Sequence, residues 1–97
     1  MENVNFTNVP GDNRGSVYLF ALSTCIWCKK TKELLDNLGI EYNYVFVDHL
    51  DEDHKSEVRE TLKKYNSNVS YPTIVINDST CIVGYDEERV EKEVGRG

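Results

Sequence analysis

The amino-acid sequence predicts an α/β fold, a single domain in which a four-stranded mixed sheet is flanked by three helices in the order β-α-β-α-β-β-α. Three observations carry that expectation. A continuous apolar run at residues 17–21 is followed at once by a segment of helical period. An aromatic, β-branched run lies downstream of that helix. Two further β-rich runs flank the turn signal Asn77-Asp78-Ser79. At 97 residues one hydrophobic core is the natural expectation, and 39% hydrophobic residues with 6 Tyr, 3 Phe and 1 Trp supply enough apolar surface to order it.

The opening stretch, residues 1–15, is rich in Asn, Gly and Asp and contains Pro10-Gly11, so it reads as a flexible N-terminal extension before a domain spanning 16–97. Val4 and Phe6 alternate with polar residues there, which is also the pattern of a short edge strand. Val17-Tyr18-Leu19-Phe20-Ala21 has the pattern of a strand buried on both faces. The period then changes: Trp27, Thr31, Leu34, Leu35 and Leu38 fall on one helical face, Lys29, Lys30, Lys32, Glu33 and Asp36 on the others, and Gly39 sits where a helix stops.

Tyr42-Asn43-Tyr44-Val45-Phe46-Val47 reads as the second strand, completing a β-α-β unit with a parallel crossover, for which the right-handed connection is expected. Asp51-Glu52-Asp53 suits a helix start, and Val58, Leu62 and Tyr65 line one face of a helix over about residues 53–65 that stops at Asn66. Thr73-Ile74-Val75-Ile76 and Thr80-Cys81-Ile82-Val83 should pair as a hairpin. Asp86 can cap a last helix carrying Val90 and Val94, with Tyr85 placed to staple onto Val90.

Charge and cysteine usage narrow the function. A formal net charge of -6 argues against a general nucleic-acid binder or an anionic-membrane binder, since both rely on a basic face. No apolar run approaches the roughly 20 residues of a membrane span, and Met1-Glu2-Asn3 lacks the features of a secretory signal. Three cysteines, an odd number, do not resemble the even disulfide framework of a secreted miniprotein, so a reducing compartment, the cytoplasm, is expected.

Cys25-Ile26-Trp27-Cys28 carries the chemistry. Two residues of separation let the sulfurs close a disulfide across one helical turn, and they suit two ligands of a zinc site equally well. The context favours redox chemistry, because the pair lies between an apolar strand and the first turn of a helix. Unpaired amides and the helix dipole stabilise a thiolate there, and Lys29 and Lys30 add positive potential. Zinc would need two further ligands, and Cys81, His49 and His54 form no second closely spaced pair. For the two histidines a solvated loop or helix-start role is expected. Cys81, one residue from Ile82 on its strand, points to the opposite face and is expected to be a small packing residue with no part in catalysis.

Three segments resemble the glutaredoxin family of the thioredoxin-like superfamily, including its ribonucleotide-reductase-associated redoxin branch. They are Leu19-Phe20-Ala21-Leu22-Ser23-Thr24-Cys25-Ile26-Trp27-Cys28-Lys29-Lys30, Ser70-Tyr71-Pro72-Thr73 and Ile82-Val83-Gly84-Tyr85-Asp86-Glu87, within a match over about residues 16–94. The resemblance implies a thioredoxin-like fold with sheet order 2-1-3-4, Cys25 as exposed nucleophile and Cys28 as resolving thiol. It also implies a cis Pro72 that presents the Tyr71 backbone to an extended substrate, and a groove formed by Trp27, Tyr71, Pro72, Gly84, Tyr85 and Asp86. The implied activity is thiol-disulfide exchange on protein disulfides, with electron donation to ribonucleotide reductase as one role. An upstream disulfide reductase or a low-molecular-weight thiol would restore the dithiol. The chain is expected to act as a monomer, with no metal and no cofactor beyond the redox-active Cys25-Cys28 disulfide.

The chain departs from the family pattern at the glutathione positions. Glutathione-using members typically carry Pro and Tyr between the cysteines, a Lys three residues before the first, and two glycines in the last motif. Here those places hold Ile26 and Trp27, Leu22, and Val83-Gly84. Losing a charge-assisted contact to a glutathione carboxylate costs about 1.5–3 kcal/mol, so glutathione dependence does not carry over with the resemblance. Tyr71 stands where smaller residues are usual and can serve as an aromatic lid over substrate or pack against Trp27. A glutathione-dependent glutaredoxin and a zinc or iron-sulfur binding module are the competing readings.

Overall fold

The apolar patterns become strands and helices that bury two faces of one sheet. The computed structural model describes residues 6–95. Its elements are β1 (Thr7–Val9), β2 (Val17–Ala21), α1 (Ile26–Leu38), β3 (Tyr42–Phe46), α2 (Glu52–Lys63), β4 (Thr73–Ile76), β5 (Thr80–Val83) and α3 (Glu87–Val90). A short 3-10 turn, Val47–His49, follows β3, and α3 runs on as a wider helical turn over Glu91–Gly95.

The sheet has five strands in the order β1-β3-β2-β4-β5, which corrects the four-stranded expectation. The four expected strands lie side by side as β3-β2-β4-β5, and the fifth, β1, comes from the segment ahead of Ser16 and pairs antiparallel with β3, Asn8 opposite Asn43. The Asn8 amide adds side-chain hydrogen bonds to Glu41 and Asn43. Of the two residues read as alternating there, Val4 lies outside the described residues. Phe6 packs edge-on against Tyr18 and Phe20. β2 and β3 are parallel, with Ala21 opposite Phe46, while β4 and β5 are antiparallel to their neighbours.

Alternation along β2 decides which helix covers which face. Val17, Leu19 and Ala21 join Ile74, Ile76 and Ile82 under α1 and the α3 segment, which contribute Cys28, Leu35, Val90 and Val94. Phe20 and Val75 face the other way and meet Val58 and Leu62 of α2. Each fully buried side chain of this size contributes about 1.5–3 kcal/mol.

The α1 face differs from the periodicity reading in one respect. Cys28, Thr31 and Leu35 are its buried residues, whereas Trp27 is 53% exposed. The helix starts at Ile26, and the residue one position after Trp27 takes the inward slot of its first turn. Gly39 ends α1 with φ 69°, a left-handed conformation that glycine adopts without strain, and its N–H closes onto Asp36 O. Asp51 caps α2 by accepting the His54 amide, and Asp86 caps α3 by accepting the Arg89 amide at 3.1 Å.

Candidate active site

Beyond β2 the chain turns through residues 22–25 into α1, and the Cys25 amide closes that turn onto Leu22 O at 3.2 Å. Cys25 keeps an extended backbone and is the N-cap of α1, its Sγ accepting the Cys28 N–H at 3.3 Å. Cys28 is 1% exposed and packs in the core beneath α1. Its Sγ accepts the Leu22 N–H at 3.4 Å. All three cysteines are free thiols.

The same few ångströms push the two thiols in opposite directions. Partial burial works against the Cys25 thiolate. Hydrogen bonds from the Cys28 thiol and from the Cys28 and Trp27 amides outweigh it and hold Cys25 below the ordinary thiol range. Cys28 is pushed up to about 12, chiefly by burial, then by the hydrogen bond it gives Cys25, with smaller pushes from the negative charges of Cys25 and Asp48. The groups that lower Cys25 are thus hydrogen-bond donors at the helix start, not the Lys29 and Lys30 charges expected from the sequence. The Lys30 ammonium instead lies over the Trp27 ring, 5.4 Å from its centroid.

The other two motifs converge through a backbone hydrogen bond. The Tyr71-Pro72 peptide is cis, and Pro72 O accepts the Gly84 amide at 2.8 Å. Gly84 has φ 81°, which lets the chain leave β5 and turn towards α3. Tyr85 then lies against Trp27 with ring centroids 5.8 Å apart. Among the described residues, Ile26, Trp27, Val83 and Tyr85 are the large exposed apolar side chains. Trp27 and Tyr85 make an aromatic shelf one turn from Cys25.

A glutaredoxin family model matches residues 17–81. The chain belongs to the glutaredoxin family. It is 34% identical over 76 residues, 78% of this chain and 93% of the relative, to an uncharacterized glutaredoxin-like protein of the rubredoxin operon of Clostridium pasteurianum. Among solved structures it is similar to the methanoredoxin of Methanosarcina acetivorans, with 44% identity, coverage of 89% of this chain and 90% of that one, and a TM-score of 0.87. The glutaredoxin of Methanosarcina mazei is comparable, with 43% identity, coverage of 94% and 88%, and a TM-score of 0.88. The fold is therefore thioredoxin-like, and the protein is a thiol-disulfide oxidoreductase of the glutaredoxin type.

Within this glutaredoxin-family site, Tyr71 is half-buried and packs against both core clusters, while Trp27 takes Tyr85 as its ring partner. The Tyr71 hydroxyl is buried without a hydrogen-bond partner among the described residues. Burial pushes its acidity down, and Arg59 opposes this through its charge. Asp86 serves as the α3 cap, and the Tyr85 hydroxyl donates to Glu87 at 3.0 Å.

Cys81 sits half-buried on β5 opposite Val75, and burial raises its pKa. His54 occupies the start of α2 against Asp51, and His49 lies exposed beside Asp48 in the turn after β3. Among the described residues no three His, Cys, Asp or Glu side chains converge as a metal site, and no helix is long and apolar enough to cross a membrane. Sequence reasoning missed Asp48, whose carboxylate accepts the Ser23 amide at 2.8 Å and the Ser23 hydroxyl at 2.5 Å. An acidic residue following a strand that runs parallel to the one before the cysteines was the available signal.

Proposed function

We propose that this glutaredoxin-family chain reduces protein disulfides through a dithiol-disulfide cycle of Cys25 and Cys28. The observation that carries this reading is the asymmetry of the pair: a partly exposed, acidified Cys25 at the cap of α1 above a buried Cys28 held in the thiol form.

The Cys25 thiolate attacks one sulfur of the substrate disulfide, the substrate S–S bond breaks, and the released thiolate takes up a proton. Cys28 then gives up its proton and attacks Cys25 Sγ, breaking the mixed disulfide. The second substrate sulfur leaves as a thiolate and is protonated. Two electrons have passed to the substrate, and Cys25-Cys28 is a disulfide. A low Cys25 pKa helps the first step by raising its thiolate fraction; in the second the substrate sulfur is the leaving group.

An upstream disulfide reductase or a low-molecular-weight thiol returns two electrons to the pair. The substrate segment lies along Trp27, Gly84, Tyr85 and Asp86, beside Tyr71 and Pro72. The exposed shelf suits a polypeptide better than a small anionic thiol, and Leu22 stands where a carboxylate-binding Lys would be needed. The protein acts as a cytoplasmic monomer, a reading supported by its free thiols and acidic surface, with no resident metal. Resemblance to the ribonucleotide-reductase-associated branch supports that enzyme as one electron acceptor.

The test is reduction of a protein disulfide by wild type, Cys25→Ser and Cys28→Ser, with glutathione, a thioredoxin reductase or a ferredoxin-linked reductase as electron source. Cys25→Ser should be inactive, and Cys28→Ser should accumulate a mixed disulfide. Full turnover of Cys28→Ser with glutathione would replace this reading by a glutathione-dependent one. A coloured protein with stoichiometric iron would replace it by the cluster-binding module.

A further inference from the structure

β2 and β3 run parallel and in register, Ala21 opposite Phe46. Both strands end there, and the residue two positions beyond each end, Ser23 on one side and Asp48 on the other, falls beside its counterpart. Asp48 uses both carboxylate oxygens on this one residue, Oδ1 on the Ser23 N–H at 2.8 Å and Oδ2 on the Ser23 hydroxyl at 2.5 Å. The parallel pairing is thereby extended past the sheet edge by a side-chain clamp.

Ser23 is the second residue of the turn that sets both thiols. On one side of it, Leu22 donates its amide to Cys28 Sγ and accepts the Cys25 amide through its carbonyl. On the other side, two residues on, Cys25 receives the Cys28 amide on its sulfur. The hydrogen bonds that stabilise a Cys25 thiolate exist only while this turn keeps its shape. The turn itself has a single backbone bond between Leu22 and Cys25 to hold it.

We propose that Asp48 is a positioning residue of the redox site, clamping Ser23 so that residues 22–25 hold the Cys28 amide on the Cys25 sulfur. The proposal rests on the dithiol reading above. The Asp48 carboxylate suits the task because the Ser23 bonds keep it ionised, below the usual carboxylate range. Charge-assisted bonds of this kind are about twice as strong as neutral ones. Three groups face the carboxylate: Ser23 through these bonds, His49 with Nε2 at 3.9 Å, and the Cys28 thiol, on which its charge acts at longer range. A second effect follows from that last relation. The negative charge disfavours the Cys28 thiolate, so it also slows loss of the Cys28 proton in the resolving step.

Asp48→Ala, Asp48→Asn and Ser23→Ala separate clamp from charge. The readouts are the pH profile of Cys25 alkylation in the folded dithiol protein and the single-turnover rate of mixed-disulfide resolution. Asp48→Ala removes both acceptor oxygens, and loss of one amide bond to a thiolate should lower Cys25 alkylation at mildly acidic pH about tenfold. Ser23→Ala should lower it less, because the backbone bond survives, and the double variant should match Asp48→Ala alone, since both changes break one clamp. Asp48→Asn retains an acceptor and removes the charge. It should keep most of the alkylation profile while speeding resolution about twofold to fivefold, the size of a partly screened charge effect.

A melting-temperature loss with an unchanged Cys25 profile in Asp48→Ala would overturn the proposal and leave Asp48 a purely structural residue. Strict additivity of Ser23→Ala and Asp48→Ala would overturn it as well. If Asp48→Ala does not fold, Ser23→Ala and Asp48→Asn carry the same test. Failure of the dithiol reading is distinguishable, because Cys28→Ser would then turn over fully with glutathione, whatever the Cys25 alkylation profiles of the Asp48 and Ser23 variants show.

Discussion

The opposite displacement of the two thiols makes a quantitative expectation about their reactivity. Cys28 is pushed up to about 12 from an ordinary value of 9.0, while Cys25 lies below 9.0. Near neutral pH the Cys28 thiolate is at least about a thousandfold scarcer than that of Cys25. A more basic thiolate is intrinsically more nucleophilic, with a Brønsted slope of about 0.4–0.5, which returns roughly half of the logarithmic loss. The net expectation is alkylation of Cys25 at least about thirtyfold faster than Cys28, before the near-complete burial of Cys28 slows reagent access further. Brief exposure of the reduced protein to iodoacetamide at mildly acidic pH, followed by peptide mass spectrometry, reads both sites at once. Raising the pH should bring in Cys28 only as it approaches the upper end of the alkaline range. Equal labelling of the two cysteines in folded protein would refute the reasoning.

Three further outcomes follow from the packing and the caps. Leu35→Ala opens a cavity under α1 at a fully buried position and should cost about 2–5 kcal/mol in urea denaturation; a loss under about 1 kcal/mol would mean that the site collapses freely. At the start of α2, Asp51 is lowered by its bonds from the His54 amide and ring, and His54 is raised by Asp51. The Asp51 contribution is present above its unfolded pKa and fades as pH falls through the lower folded value; the His54 contribution is whole below its unfolded pKa and fades as pH rises through the higher folded one. The pair should therefore stabilise best between those limits, and the melting-temperature difference between wild type and His54→Gln should shrink on the alkaline side. Cys81→Ala should leave turnover nearly unchanged, and an oxidant-driven dimer that vanishes with this substitution would place the third cysteine in the mechanism.

Periodicity made four strands and three helices legible because each buries a repeating set of side chains, and the spacing of those side chains is a local property. β1 was harder to see. It is three residues long, Thr-Asn-Val, and its reason for being a strand is the exposed edge of β3, a partner more than thirty positions away. Trp27 was misplaced on the buried face of α1 because cysteines were weighed for chemistry and not for volume, whereas Cys28 fills the inward position of the first turn. The cysteine pair and the Tyr71-Pro72 and Gly84-Asp86 segments were readable from residue order. Their convergence, through the bond from Gly84 to Pro72, was not. For Asp48 the signal was only an acidic residue past a strand parallel to β2; which residue past β3 stands beside Ser23 is set by the register of the two strands.

β1 also bears on how the molecule behaves in a crowd. Without it, β3 would be the rim of the sheet, presenting a row of unsatisfied main-chain donors and acceptors next to Tyr42, Tyr44 and Phe46, a ready template for growth by another extended chain. The three residues of β1 close that template, and they end in a tight landing: a Cβ at Gly11 would come within 2.6 Å of the Gly39 and Ile40 backbone, and the Asp12 amide bonds Gly39 O at 2.9 Å. A bulkier residue at position 11 would lift the cover, so its first symptom would be insolubility, with the chemistry of the thiols, which the turn from β2 into α1 carries, still intact.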